Sequence, residues 1–345
     1  MAWDAKAKRQ SGGFYSTLGL SRLFLGCLGL VLLLLPVFPG EFQVVVGAEI
    51  LIMGLFATSF NLLYGYMGEI SFGHSAFFGL GAYTTALFMR AFQGPTGEIG
   101  YVPFLFSVFM SIPVSALGAL IVGFFCVRLT GIYFAMLSLA FGELLYYIVF
   151  SWYSFTKGDD GIQGLMPPHY LQGYTHYYYF ALIVVAVTLV LLWRVTNSPF
   201  SYVLRMLREN KNRAAFVGVN VRTCMLVNFV VAGAFAGLAG GLWGPFQRSV
   251  SPTLLGSMQS ATAVFMTLMG GPRFFIGPLV GSAIYTALNA YLTRFTVYWP
   301  LTIGSIILIF VLFLPGGILS AVQGWIRASL GHRPKSPARM PAMRE

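Results

Sequence analysis

Two carboxylates stand inside long apolar sequence: Glu69 in GEISFGH and Glu143 in SLAFGELLYY. An acid at mid-bilayer costs about 2.5–3.5 kcal/mol on insertion scales, so such residues face a polar cavity or pair within the protein. Two readings follow. In the first, each acid borders a solute pathway with its polar neighbours: Ser71, His74 and Tyr83 near Glu69, and Ser138 before Glu143. In the second, Glu69 is solvated in a loop and Glu143 hydrogen-bonds to a neighbouring helix. His74 has no second ligand nearby, so a polar contact between helices is expected there rather than a metal site. His169, His176 and His332 fall in a loop, at a span end and in the tail, so no Ser/His/Asp set is indicated. There is no HExxH and no paired-carboxylate signature. Asp159-Asp160-Gly161 lacks the remaining ligands of a calcium loop. Cys27, Cys126 and Cys224 lie in or beside apolar runs without CxxC or Cys/His spacing, and are read as packing residues. No cofactor is indicated, and the absence of a GxxxxGK[ST] loop leaves the chain no visible means of using ATP itself.

The elements that must position these residues are membrane spans. Of 345 residues, 57% are hydrophobic and 9% charged, against about 25% charged in an ordinary soluble domain. The apolar runs are continuous rather than alternating, which excludes a β-barrel and leaves an all-α polytopic membrane protein. A basic head, residues 1–22, precedes an apolar run from Leu23 to Phe38. No small-x-small cleavage site follows cleanly, so this run is read as a first span rather than a signal peptide. Further spans are expected at Val44 to Tyr64, within Gly65 to Met89, and at Val102 to Val127 with a kink at Pro113. Others follow at Ile132 to Trp152, His176 to Trp193, Cys224 to Phe246, Gly277 to Thr293 and Trp299 to Leu319. Ser257 to Gly271 is either a thin span or a re-entrant helix, so the count is eight to ten. Residues 23–320 thus form one transmembrane domain, and 321–345 a basic tail.

Charge tests this layout. The net charge of +11 gathers in short segments beside apolar spans, which is a topology signal and not a nucleic-acid one. With ten spans, 17 of the 21 basic residues lie on one side, together with both termini. The longest internal polar run is Asn197 to Arg222, NSPFSYVLRMLRENKNRAAFVGVNVR. It carries Arg205, Arg208, Lys211, Arg213 and Arg222 against one acid, Glu209. Leu204 and Leu207, with Ala215 and Phe216, could give its helix an apolar stripe for a docking partner; the alternative is a loop that only fixes topology. Gly233, Gly237 and Gly241 recur at four-residue spacing, a face that lets another helix approach closely. Ser71, Ser75 and Gly79 form a similar face. GEISFGHSAFFGLGAY (68–83) and GGPRFFIGPLVGSAIY (270–285) echo each other, as the internal repeats of transporters do.

Three stretches carry a family resemblance: NLLYGYMGEISFGHSAFFGLGAY; LTGIYFAMLSLAFGELLYY followed by TKGDDGIQG; and residues 197–244 continuing to GSMQSATAVFMTLMGGPRFFIGPLVGSAIY. The chain resembles LivM-type permease subunits of bacterial ABC importers for branched-chain and other hydrophobic amino acids. The resemblance implies a LivH-type partner permease, cytoplasmic ATP-binding subunits, a periplasmic substrate-binding protein and an inner-membrane location. It also implies that 197–222 is the ATPase-coupling loop. Arg213-Ala214-Ala215 and Gly218 match the degenerate docking motif of permeases, with Arg213 where many have a glutamate. Glu69 stands where the family often has glutamine. Relatives on this scaffold carry urea or short amides, which is one alternative. The other is an ion-coupled secondary transporter using Glu69 or Glu143.

Overall fold

The computed structural model describes residues 40–94, 99–295, 297–314 and 316–321. The expected first span, the basic head and nearly all of the tail lie outside the described residues. What is described is almost wholly helical, as a chain must be where no water can satisfy its backbone. Among the described residues, five helices are long and apolar enough to cross a bilayer: Glu41–Met67, Tyr101–Cys126, Ile132–Ser151, Tyr174–Thr196 and Val221–Gln247.

Helix α1 (Glu41–Asn61) continues as one π-helical turn, Leu62–Met67, and stops at Gly68, whose φ of 83° is left-handed. The chain then doubles back through residues 69–73 into α2 (His74–Phe92). Next come α3 (Tyr101–Cys126), which runs on through Pro113, then α4 (Ile132–Ser151) and α5 (Tyr174–Thr196). The polar run folds as α6 (Pro199–Glu209) and α7 (Lys211–Phe216) before α8 (Val221–Gln247). Then follow α9 (Ser257–Gly270), α10 (Gly277–Phe295) and α11 (Trp299–Phe313). These helices coincide with the apolar runs of the sequence to within a few residues.

Small residues set the centre. On α3, Ser111, Ser115 and Ala119 recur every four residues, and they face Gly241, Gly237 and Gly233 of α8 in turn. A Cβ at Gly237 would collide with the Ser115 side chain, and one at Gly81 of α2 with the Gly237 carbonyl. Backbones therefore nearly touch across three helices, with α2 parallel to α8 and α3 antiparallel to both. Burial follows: the apolar stretches of α1 and α8 are 72% and 67% buried within the chain, that of α4 only 22%. α4 thus turns most of its surface toward lipid or a partner.

At the end opposite the polar run, the 153–173 loop is tied to the turn after α8 by a two-residue antiparallel pairing. Here β1 (Ile162–Gln163) meets β2 (Ser249–Val250), with Ile162 opposite Val250. From Val250 the chain passes inward through Pro252–Leu255 to α9. At 14 residues, α9 is about 21 Å long, short of a ~30 Å hydrocarbon layer. The stretch 250–256 makes up the difference, so the segment does traverse the bundle, from the β pairing to the Gly271 turn near Asn61. The two echoing segments share a local device: a left-handed glycine, Gly68 or Gly271, reverses the chain before a small-residue helix.

Candidate functional site

Two sets of polar contacts are buried in this apolar framework. The first lies at the basic end. Pro199 at the first helical position starts α6 with its φ already set. The Asn210 side chain caps α7 by accepting from the Arg213 N–H at 3.0 Å, and Asn220 caps α8 through the Thr223 N–H at 3.2 Å. Leu204 and Leu207 are buried against the bundle, as is Ala214. The Leu204 and Leu207 part of the expected apolar stripe is thus used within the chain itself, while Ala215 and Phe216 face outward. The outward surface is Arg213, Ala215, Phe216, Val217 and Gly218, with Phe216 91% and Val217 76% exposed.

This folded loop grips the end of α1. The π turn and the Gly68 reversal leave the Gly65 carbonyl without a helical partner, and Arg208 Nη1 donates to it. The Arg205 guanidinium lies 5.3 Å from the Tyr66 ring centre. Lys211 Nζ forms an ion pair with Glu69 Oε1, and Glu69 Oε2 accepts the Gly131 N–H at 2.9 Å. The Glu69 backbone N–H returns to the Leu63 carbonyl at 3.1 Å. Glu69 is 4% exposed, with both carboxylate oxygens engaged by protein groups. It joins α1, the start of α4 and the polar loop at one carboxylate. Glu209 remains exposed on the loop.

The second set lies in the middle, where α2 and α9 begin. The Ser75 N–H donates to Ser260 Oγ at 2.9 Å, Ser260 Oγ–H to Ser75 Oγ at 2.7 Å, and Ser75 Oγ–H to the Leu255 carbonyl at 2.8 Å. Glu143 accepts the Ser257 N–H at 3.3 Å, placing a carboxylate at the α9 N-terminus, where the helix dipole favours it. Ser138 Oγ accepts the Phe72 N–H at 3.2 Å, and Gly73 packs directly on the Ser138 carbonyl. His74 Nε2 is 3.0 Å from Ser59 Oγ, and its ring stacks on Phe56. Irregular backbone at this depth is tolerated because protein groups cover it. Among the described residues, Ser71 Oγ, His74 Nδ1 and the Tyr83 hydroxyl are buried with no protein partner.

Of the acids singled out in the sequence, then, each meets an element far along the chain: Glu69 meets Lys211, and Glu143 meets Ser257. Ser257 and Ser260, and the contacts that Lys211 and Ser75 make, stand out only in three dimensions. No local spacing links residues 142 or 114 positions apart.

The described residues form a multi-pass, all-α membrane protein with a folded polar loop at one end. A family model described as the branched-chain amino acid transport system permease component matches residues 46–315, and the chain belongs to that family. It is a permease subunit of an ABC importer. It is 22% identical over 337 residues to the high-affinity branched-chain amino acid transport system permease protein LivM of Salmonella typhimurium, across 90% of this chain and 77% of that protein. Escherichia coli LivM is 23% identical over 312 residues, across 81% and 70%. Escherichia coli LivH, the high-affinity branched-chain amino acid transport system permease protein of that name, is 24% identical over 283 residues, across 77% and 90%. No solved structure matches the chain.

Proposed function

We propose that this chain is the LivM-type half of an ATP-driven importer of branched-chain or other small hydrophobic amino acids. It pairs with a LivH-type permease in the bacterial inner membrane. The basic end faces the cytoplasm, with both termini on that side, and residues 23–320 form the permease domain. Cytoplasmic ATP-binding subunits seat on α7, and a periplasmic binding protein delivers substrate to the opposite end, where Asp159 and Asp160 are exposed. The observation that carries this reading is the 197–222 loop. It is folded, capped and packed by its buried leucines, yet offers Phe216 and Val217 to water. An exposed aromatic on a rigid polar loop fits the pocket of a partner.

The coupling surface is Arg213, Ala215, Phe216 and Gly218. Arg205, Arg208 and Ala214 attach it to the bundle. Ser71, His74 and Tyr83 supply unpaired hydrogen-bonding groups beside the α2 entry, where a solute passes when the helices separate. Ser138 and Glu143 border the same region while holding the entries of α2 and α9.

The test is uptake in vesicles containing this chain, its partner permease, the ATPase and the binding protein. The panel is leucine, isoleucine, valine and urea, with and without ATP, and with Phe216→Glu. ATP-dependent uptake of the branched-chain amino acids supports the reading, provided Phe216→Glu abolishes it and releases the ATPase from an otherwise intact permease pair. Urea uptake alone reassigns the solute. Proton-driven uptake by this chain alone overturns the assignment.

A further inference from the structure

An ABC permease must deliver the movement of its coupling loop to the spans that open. The loop is continuous with α5 and α8, but Gly68 and the irregular 69–73 stretch separate α1 from α2, and the 127–131 turn separates α3 from α4. The contacts at the basic end bridge those breaks. One Glu69 oxygen holds Lys211 at the first position of α7, and the other holds the Gly131 N–H immediately before α4. Arg208 independently holds the Gly65 carbonyl in the π turn. An isolated π turn inside a span often marks a functional site, since its backbone groups can be re-paired. A carboxylate that is 4% exposed, with both oxygens engaged by two other elements, has little freedom to rotate away.

We infer that Glu69 is a positioning residue for transport: through Lys211 it fastens the 197–222 loop to the ends of both α1 and α4, so that loop movement becomes movement of those helices. The inference builds on the proposed seat of the ATPase at 211–218, but it makes a separate claim about what happens after the ATPase has bound. Lys211 is the hinge side of the fastening and Arg208 its second point. In this chain the carboxylate at 69 takes a lysine on one oxygen and a backbone N–H on the other. A glutamine, with one acceptor oxygen and an amide donor, keeps the N–H contact or the lysine contact but repels the other.

The measurement is leucine moved per ATP hydrolysed, in vesicles containing the full complex. The variants are Glu69→Gln, Lys211→Met, and the exchanged pair Glu69→Lys with Lys211→Glu. Assembly and substrate-stimulated hydrolysis are measured alongside. A coupling free energy of ordinary size predicts that Glu69→Gln and Lys211→Met each lower leucine per ATP by about fivefold or more while hydrolysis continues. The exchanged pair restores the charge contact between the loop and the end of α1 but leaves the Gly131 N–H without an acceptor, so it should recover only part of that loss. A merely structural contact would lower transport and hydrolysis together and leave their ratio unchanged, and that result overturns the inference. So does a wild-type ratio in both single variants. Lys211 is less buried than Glu69, so Lys211→Met gives the answer if Glu69→Gln does not assemble. Retention of the ATPase by Phe216→Glu would reject the seat at α7, but the ratio in the Glu69 and Lys211 variants would still decide the fastening.

Discussion

Glu69 and Glu143 are both acids in apolar sequence, and the fold gives them different counter-charges. Glu69 meets a whole positive charge, Lys211, plus one backbone N–H. Glu143 meets one backbone N–H at the start of a helix, where the macrodipole amounts to about half a charge. The first arrangement belongs to the basic end, where cations are plentiful. The second belongs to the middle, where Ser75, Ser257 and Ser260 are the polar groups at hand. A buried ion pair breaks badly when one partner is lost, because the other is left uncompensated. A helix N-terminus needs only an acceptor, and a neutral one will serve. The same residue type therefore carries a charge requirement at 69 and a shape-and-acceptor requirement at 143.

The harshest way to break this contrast is to reverse the charge at 69. Glu69→Lys sets two ammonium groups against each other in a site 4% exposed to water. The expected destabilisation is about 3–5 kcal/mol, read as loss of a monodisperse peak on size-exclusion chromatography in detergent. Adding Lys211→Glu should restore part of the peak, since the charges pair again while the Gly131 N–H stays without its acceptor. If Glu69→Lys alone runs like wild type, the ion pair is not what holds this carboxylate.

Neutralisation sharpens the contrast further. Glu69→Gln should cost about 1–3 kcal/mol, since Lys211 loses its partner while the Gly131 N–H keeps an acceptor. A double-mutant cycle with Lys211→Met isolates the pair, and a coupling above about 0.5 kcal/mol is expected in thermal unfolding of the purified permease pair. Ser260→Ala is the matching neutral test in the middle. It strips the Ser75 N–H of its side-chain acceptor at 2.9 Å and should cost about 1–2 kcal/mol. A Ser260→Ala variant with unchanged Tm would mean that α2 and α9 are held by apolar packing around Leu255 and Gly79, and that the serines are incidental.

The spans were legible because apolar runs of bilayer length between charged segments have few alternatives. The family resemblance added order to them. The glycines at 233, 237 and 241 were legible as a face, while its counterpart on α3 needed the structure to single out Ser111, Ser115 and Ala119 among the bulky apolar residues of that helix. The polar loop was legible as a loop and as basic. The use of its leucines was not, because Leu204 and Leu207 cover the bundle as readily as they would meet a partner, and periodicity does not distinguish the two. The ambiguity of Ser257–Gly271 had a physical cause: a 14-residue helix is too short to span alone, and the short 3-10 turn Pro252–Leu255 that precedes it is too brief to show a sequence period. The partners of Glu69 and Glu143 depend on which ends of the bundle meet. Only tertiary structure decides that.

The smallest expected effect is at Glu143, and it is the most discriminating. Glu143→Gln retains an oxygen able to accept the Ser257 N–H, and it removes the negative charge that the α9 dipole favours. Each of those terms is small: a cap is worth about 1 kcal/mol when lost entirely, and a charge at a helix N-terminus about 0.3–1 kcal/mol. Glu143→Gln should therefore lower stability by less than about 1 kcal/mol. Glu143→Leu, which removes the acceptor as well, should cost about 1–2 kcal/mol. Uptake in the complete importer should follow the same order, with Glu143→Gln close to wild type. The ion-coupled alternative requires the opposite. If Glu143 carried a proton or cation through the membrane, the glutamine would abolish transport without disturbing the fold, since an amide cannot exchange the charge. A stable, assembled but inactive Glu143→Gln permease would move this residue from holding α9 in place to handling charge during transport. Near-wild-type uptake leaves the carboxylate as the cap of a broken helix.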